Sequence, residues 1–501
     1  MMRALFCLKG PNETNGPNVW LTRHLPRLIR HGIEPRVLYV ALDPDEPCRF
    51  LTALQDQGIG VRKVKLGRFT EEDVPAILEG IVAERPDVFV PNYTAAAYFA
   101  CRFAREAGIR TIGTLHSDDP YYHDIVDVFL RGAEPWRLDG VVAVSDYLTT
   151  LAAEAATSST HVLHATYGAP IAEVTAAEPE EVLTLLYVGR LVERQKRIRR
   201  VTERMLAAAA AVDDVRGLLY GDGPERGSVE GMLSRDESDR VRLGGVLSPD
   251  AMMPAMVHGH ALVLLSDFEG LSIALMEAMA CGLVPIVSDT RSGTGDLIQH
   301  DVNALVVDAD SDASFTEAVR RLREEQGLWA RLSGAAREAI IARGYTSDEC
   351  ARRWAEFCTH LTLGARTQAI SVPSPADVFL PARCERPFGL RIDDRRDPWQ
   401  RLTLAMLERR PIYVWGAGSG GRQFLASRTG REISVAGVID RRAVDDTWTL
   451  ENVPVFPPAH LADQSQTEQP PFIVITSMYE TEIGRDLEQL GFRSERDFIS
   501  A

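Results

Sequence analysis

Two glutamates eight residues apart, Glu269 and Glu277, bracket the stretch FEGLSIALME. A short apolar run ends before them at Ser266, and a helical pattern starts near Leu271 or Ser272. Glu269 therefore falls in a loop at a strand end, and Glu277 falls inside the helix. The amides of Gly270, Leu271 and Ser272 lie at that helix start, where unpaired N–H groups and the helix dipole favour an anion. Gly270 has no side chain to hold a ligand off the backbone. A second stretch, YVGRLVERQK, puts Arg190 at the end of another apolar run and Lys196 six residues further on. Arginine grips two oxygens with parallel donors and lysine adds a compact charge, a combination suited to a diphosphate. Of 55 basic residues only Lys9, Lys63, Lys65 and Lys196 are lysines, which draws attention to Lys196.

Further groups stand at similar junctions. The glycine-containing loop KGPNETNGPNVW follows the first apolar run, with Gly16 as its candidate functional glycine. His116, in TLHSDDP, ends a later run and is either a site residue or a satisfied core histidine. His161, His164, His258 and His260 have no comparable setting and read as structural. The pairs Asp43/Asp45 and Asp308/Asp310 have metal-binding spacing but fall in loops away from the motifs above, so they read as solvated turns and no metal is expected. Arg23, His24, Arg27, Arg30 and His31 share one helical segment. That segment reads first as the solvent face of an amphipathic helix; a basic helix can also dock on anionic lipid, which keeps peripheral membrane contact as an expectation. Near the C-terminus, WGAGSGGRQF carries Gly416, Gly418 and Gly421, and Asp440 follows Gly418 by twenty-two residues. This is the spacing of a dinucleotide-binding turn with its ribose-binding acid.

These residues need a scaffold of strand ends and helix starts. Runs such as MRALFCL, EPRVLYVAL, VRKVKL, DVFVPN, TIGTLH and GVVAVS alternate with helical segments over the first part of the chain. After a Pro-, Gly- and Glu-rich break at 168–181 the rhythm restarts with VLTLLYVGR, VRGLLYGDG, VRLGG, ALVLLS, LVPIVSD and ALVVD, and the helical run SDECARRWAEFCTHL closes it. Repeated strand–helix–strand units imply parallel sheets covered by helices on both faces. Two such units leave a cleft at the carboxyl ends of their strands, where ligands of doubly wound sheets bind. The expected division is 1–175, 176–361, a connection over 362–400 and a small Rossmann-like unit over 401–501.

The 501 residues have a net charge of −16, which argues against a nucleic-acid binder. Seven scattered cysteines without a Cys-x-x-Cys pair fit a reducing cytoplasm and no zinc site. No apolar run approaches the roughly 18 residues of a membrane span, and the N-terminus lacks a signal-peptide pattern.

Residues 1 to about 361 resemble the retaining nucleotide-sugar glycosyltransferases of GT-B fold, of the group 1/family 4 type. The resemblance rests on GRLVERQK, the GDGP turn at 221–224, the GGVL turn at 244–247 and the paired glutamates followed by ACGLVPIVSD. It implies an α/β fold of two tandem Rossmann-like domains facing a cleft, the small C-terminal unit being extra. It implies a UDP- or GDP-sugar donor and no required cofactor. Arg190 and Lys196 would hold the diphosphate, and Glu269 would meet the sugar hydroxyls. Glu277 would bind the ribose, and Gly270, Leu271 and Ser272 would offer amides. Val246 would face the base, Gly16 would lie across the cleft near the acceptor, and His116 would touch the transferred sugar or aid catalysis. The acceptor implied is a glycan, lipid carrier, protein or small molecule, and the oligomeric state is open. Two other readings remain: a nucleotide-sugar-binding protein without catalysis, and an NAD(P)-dependent enzyme acting through residues 401–501. Against the latter, that segment contains no lysine to partner Tyr479 in a Tyr-x-x-x-Lys pair.

Overall fold

The computed structural model describes residues 1–374 except 11–15, 68–69, 291–292 and 365–367, and most of residues 402–500. Most of the 362–400 connection, and Tyr479, lie outside the described residues. The chain divides into two compact units, Met1–Leu380 and Pro381–Ala501.

The first unit contains two sheets. The strands of the first are β1 (Met2–Lys9), β2 (Ile33–Ala41), β3 (Gly60–Lys65), β4 (Val88–Val90), β5 (Arg110–Leu115), β6 (Gly140–Ala143) and β7 (His161–His164). They lie in the order β3-β2-β1-β4-β5-β6-β7, all parallel. The helices between them are α1 (Gly16–Arg30), α2 (Arg49–Asp56), α3 (Thr70–Glu84), α4 (Ala95–Glu106), α5 (Pro120–Phe129) and α6 (Asp146–Ala155). Central strands are apolar on both faces because helices cover both; Ala4 to Leu8 of β1 are all buried. The edge strand β7 is a seventh, beyond the six apolar runs read from the sequence.

The second sheet comprises β8 (Leu183–Val188), β9 (Val215–Tyr220), β10 (Val241–Gly245), β11 (Ala261–Leu264), β12 (Val284–Ser288) and β13 (Leu305–Val307). Its order is β10-β9-β8-β11-β12-β13, again parallel. Its helices are α7 (Glu193–Lys196), α8 (Ile198–Ala211), α9 (Arg226–Leu233), α10 (Pro249–Met256), α11 (Ile273–Ala280), α12 (Thr294–Leu297), α13 (Asp312–Glu324) and α14 (Leu328–Ala342).

A last helix, α15 (Ser347–Thr362), follows the second sheet in sequence but packs on the first. Trp354 lies against Phe6 of β1 and Trp20 of α1, with ring centroids 6.0 and 5.8 Å apart. A Cβ on Gly140 of β6 would lie 2.8 Å from Leu361, so glycine lets α15 sit close on that strand. In each sheet the chain reverses direction of winding beside its first strand, between β1 and β4 and between β8 and β11. Loops diverge there and leave a crevice.

The second unit carries its own mostly parallel sheet of β14 (Ile412–Trp415), β15 (Val435–Ile439), β16 (Thr449–Leu450), β17 (Val453–Phe456), β18 (Phe472–Ile475) and β19 (Phe498–Ser500). The order is β16-β17-β15-β14-β18-β19, with only the β16–β17 pair antiparallel. Helices α16 (Ser419–Ala426) and α17 (Glu480–Gln489) accompany it. A buried Arg410–Asp497 pair at 2.7 Å ties the segment before β14 to that before β19.

Candidate active site

The loops after β8 and β11 flank the switch point of the second sheet, which is why YVGRLVERQK and FEGLSIALME come together. Gln195 joins them. Its backbone carbonyl accepts from the Asp267 amide at 2.9 Å, and its side-chain amide donates to the Phe268 carbonyl at 3.2 Å. Its side-chain oxygen also accepts from Arg190 at 2.9 Å. One residue thus sets Arg190 and the Glu269 loop relative to each other. Lys196 completes the contact by donating to Glu269 at 2.5 Å, with side chains 12% and 6% exposed.

Ser272 begins α11 as its N-cap, its hydroxyl accepting from the Leu275 amide at 3.3 Å. Facing it across the cleft is the start of α1. A Cβ on Gly16 would rest 3.4 Å from Ile273, so two helix N-termini meet there. Gly270 pairs with Ser117 in an isolated antiparallel bridge between the two halves. A Cβ on Gly270 would stand 1.9 Å from the His116 carbonyl oxygen, a backbone atom that cannot step aside. Glycine at this position is therefore a requirement of the closed cleft as well as an opening for a ligand.

The resulting cavity of ≈ 320 Å³ is lined by Gly16, His116, Arg190, Lys196, Glu269, Gly270, Leu271, Ser272 and Glu277, nine of the ten donor and catalytic positions expected from sequence. The tenth, Val246, sits outside it on the turn after β10 and is 55% exposed. That turn is tied to the GDGP turn by the Gly221 amide, which donates to Gly245 at 2.9 Å. Gly221 has φ +148°, and a Cβ there would strike the Gly189 carbonyl oxygen at 1.8 Å. A larger hollow of ≈ 590 Å³ lies at the opposite, amino-terminal ends of β8 and β9, lined by Arg216, Arg240 and His258. None of the expected site residues borders it.

His116 is in the cleft wall, yet its ring is fully engaged. Nε2 donates to Asn92 Oδ1 at 2.7 Å, and Nδ1 lies 3.1 Å from the Tyr167 hydroxyl, which also reaches the His116 carbonyl at 3.2 Å. Burial pushes its pKa down to about 3, so the imidazole is neutral at working pH. Asn92 holds its place through a left-handed backbone, φ +53°, at the end of β4. Asp119, at the start of α5, also lines the cavity, and burial raises its pKa.

Two sequence expectations are corrected, and the possible ligand residue Asp440 is found already engaged. The residues from Arg23 to His31 do not form one solvated basic face. Arg23 points across the cleft and pairs with Glu277, and His24 is buried between Trp20 and Trp354. Asp310 is not remote from the donor loops, since it pairs with Arg197, which also reaches Asp267 at 3.4 Å. Asp440 does not present a free carboxylate. It accepts from the Ala417 amide at 2.8 Å and from Arg442 through its backbone amide, Nε and Nη2 at 2.9, 2.8 and 2.9 Å. Gly416 has φ +120°, and a Cβ on Gly421 would stand 1.9 Å from the Gly416 carbonyl, so both glycines serve the strand-to-helix turn. Gly418 is exposed, with open space around it. Gln195, Asn92 and Tyr167 were not singled out by sequence. Of these Gln195 stood inside the quoted motif, while the other two act only through tertiary contact. Among the described residues, no group of three or more His, Cys, Asp or Glu could hold a metal, and no helix is long and apolar enough to cross a membrane.

Residues 14–164 match the family model described as Glycosyltransferase Family 4, and residues 182–325 match Glycosyl transferases group 1. The lipopolysaccharide core biosynthesis glycosyltransferase LpsD of Rhizobium meliloti is 29% identical over 35% of this chain and 49% of its own length. The N-acetyl-alpha-D-glucosaminyl L-malate synthase of Bacillus anthracis is 32% identical over 29% of this chain and 38% of its own. The chain thus spans about half or less of the length of these curated relatives. In three dimensions it is similar to the pneumococcal O-GlcNAc transferase GtfA, solved with UDP and GlcNAc: TM-score 0.59, 11% identity, 72% of this chain and 99% of that one. Anabaena HepE, solved with UDP and glucose, gives TM-score 0.57 at 17% identity, over 72% of this chain and 100% of that one. With two family models that together take in more than half of its residues, and a fold shared with these enzymes, the chain belongs to the GT-B glycosyltransferases.

Proposed function

We propose that the chain transfers a sugar from a nucleoside diphosphate sugar, UDP- or GDP-linked, to a glycan or other hydroxyl-bearing acceptor, with retention at the anomeric carbon. The observation that carries this reading is the convergence of nine expected positions on one cleft between two Rossmann-like halves. Arg190, Lys196 and the N-terminus of α11 supply positive potential for the diphosphate. As the anomeric C–O bond breaks, negative charge grows on the leaving phosphate oxygen, and these groups stabilise it without reorganising. No divalent metal is required for that step. Glu277 takes the ribose hydroxyls, Glu269 those of the sugar, and Val246 stands beside the base. His116 offers a fixed neutral ring to the sugar.

Glu269 is engaged by Lys196, and no side chain stands out as a covalent nucleophile, so no covalent sugar–enzyme intermediate is invoked. The acceptor oxygen bonds to the anomeric carbon on the face from which the phosphate leaves, and its proton passes to the departing phosphate oxygen. Closure across Gly270 and Ser117 excludes water from this exchange.

The test is transfer or donor hydrolysis across a panel of UDP- and GDP-sugars, with and without EDTA. Lys196→Ala and Glu269→Ala are each expected to lose at least about 100-fold in turnover, as when one preorganised charge-stabilising donor is removed. Full turnover in both variants refutes the site. Nucleotide-dependent thermal stabilisation without turnover on any donor favours the non-catalytic binding reading.

A further inference from the structure

Glu277 has a charged partner within the chain itself. Its carboxylate pairs with Arg23, which belongs to α1 in the other half of the unit; their side chains are 4% and 18% exposed. The pairing follows from how the helices start. Both α1 and α11 begin at the cleft, with Gly16 against Ile273. Seven residues along α1 and four along α11 are two turns and one turn, so Arg23 and Glu277 lie on the same faces as that first contact.

An ionised carboxylate buried without a partner is strongly disfavoured. Arg23 relieves Glu277 of that state while no ligand is present. Glu277 lines the cavity with Arg23 on it, so a ribose diol that is to use the same carboxylate competes with the guanidinium for its oxygens. We propose that Arg23 is an intramolecular competitor for the ribose-binding carboxylate: it holds Glu277, and the two halves, together in the empty protein and leaves when a nucleoside diphosphate enters. This rests on the reading of Glu277 as the ribose ligand. The competent fraction of the protein then sets the apparent affinity, since an occupied site reduces it in proportion. Arg23 thereby weakens ligands that bring a ribose and leaves those that bring only a diphosphate unaffected, because only the former have to break the pair.

The experiment uses the full chain and titrates UDP, GDP and inorganic pyrophosphate by calorimetry into wild type, Arg23→Gln, Glu277→Gln and the double variant. Arg23→Gln is expected to tighten the better nucleotide about tenfold and to leave pyrophosphate unchanged. Glu277→Gln is expected to weaken the nucleotide, and adding Arg23→Gln to it to give nothing more. Distances between spin labels on exposed positions of the two halves are expected to lengthen in ligand-free Arg23→Gln. If Glu277→Gln weakens the nucleotide while Arg23→Gln weakens it too, leaves it unchanged or shifts pyrophosphate in parallel, the competitor role is overturned and the ribose reading stands. If no nucleotide binds, or Glu277→Gln leaves its affinity unchanged, both fall. Unchanged label distances in Arg23→Gln overturn the part in which the pair holds the halves together.

Discussion

Under the proposed function the Lys196–Glu269 pair ties catalysis to stability, and removing either charge tests both. At 2.5 Å, with an effective dielectric near 20, the Coulomb attraction is about 7 kcal/mol. Desolvation of two groups this buried offsets much of that, so the pair adds little net stability as a whole. Breaking it is a different matter: one uncompensated buried charge remains, at a cost of about 3–5 kcal/mol. For a half of this size, each kcal/mol moves Tm by roughly 2–4 °C, so Lys196→Met and Glu269→Gln should each lower the relevant melting transition by roughly 6–20 °C. Lys196→Met/Glu269→Gln leaves neither charge stranded and should melt no lower than the worse single variant. Scanning calorimetry on the four proteins measures the coupling. Additive losses in the double variant would falsify the idea that these charges compensate each other. Turnover should behave in the same non-additive way, each single change removing most of what the double removes.

Gly270→Ala should separate folding from closure. Its Cβ would meet the His116 carbonyl at 1.9 Å, so the halves must stay apart while each keeps its own core. Transfer should fall at least about 100-fold, as expected for misplacement on the order of 1 Å at a reacting centre, with Tm nearly unchanged; wild-type turnover would show that the bridge to Ser117 is dispensable. In the second unit, the Arg442 side chain beside Asp440 lowers its carboxyl pKa from 3.8 to about 2. The folded state therefore keeps Asp440 ionised where the unfolded chain would protonate it. That stabilisation is complete above pH 3.8 and is lost as pH falls toward 2. The Tm of the second unit should decline across that window and flatten in Asp440→Asn; an equally steep decline in the variant would assign the acid sensitivity elsewhere.

The parts legible in the sequence are those that each half writes for its own core. Runs such as ALFCL and VLYVA announce strands buried on both faces, and the chain's alternation gives the parallel sheets. The strand HVLH was not legible, because β7 lies at a sheet edge, partly exposed along its length, and shows no apolar contrast. Arg23 was misplaced for a related reason. Helical periodicity shows that it lies off the apolar stripe of α1, but the pattern looks the same whether that face meets water or the other half. His24 shows the converse: it is a polar residue enclosed by tryptophans from α1 and α15, and α15 lies far along the chain.

The C-terminal glycine motif shows how spacing alone leaves the chemistry open. A glycine-rich turn between strand and helix is needed wherever the helix must approach the strand closely, and the near-collision at Gly421 demonstrates that need here without a ligand. What separates a dinucleotide site from a bare turn is an acid free to accept ribose hydroxyls. An ionised carboxylate offers about four lone-pair sites. At Asp440 four hydrogen bonds, from Ala417 and Arg442, already fill them. At Glu277 the pairing group is the Arg23 guanidinium, which comes from the other half of the first unit. Of the two acids, one suggested for a ribose by family resemblance and one by spacing, Glu277 lines a cavity with eight other expected positions, which makes it the stronger claimant.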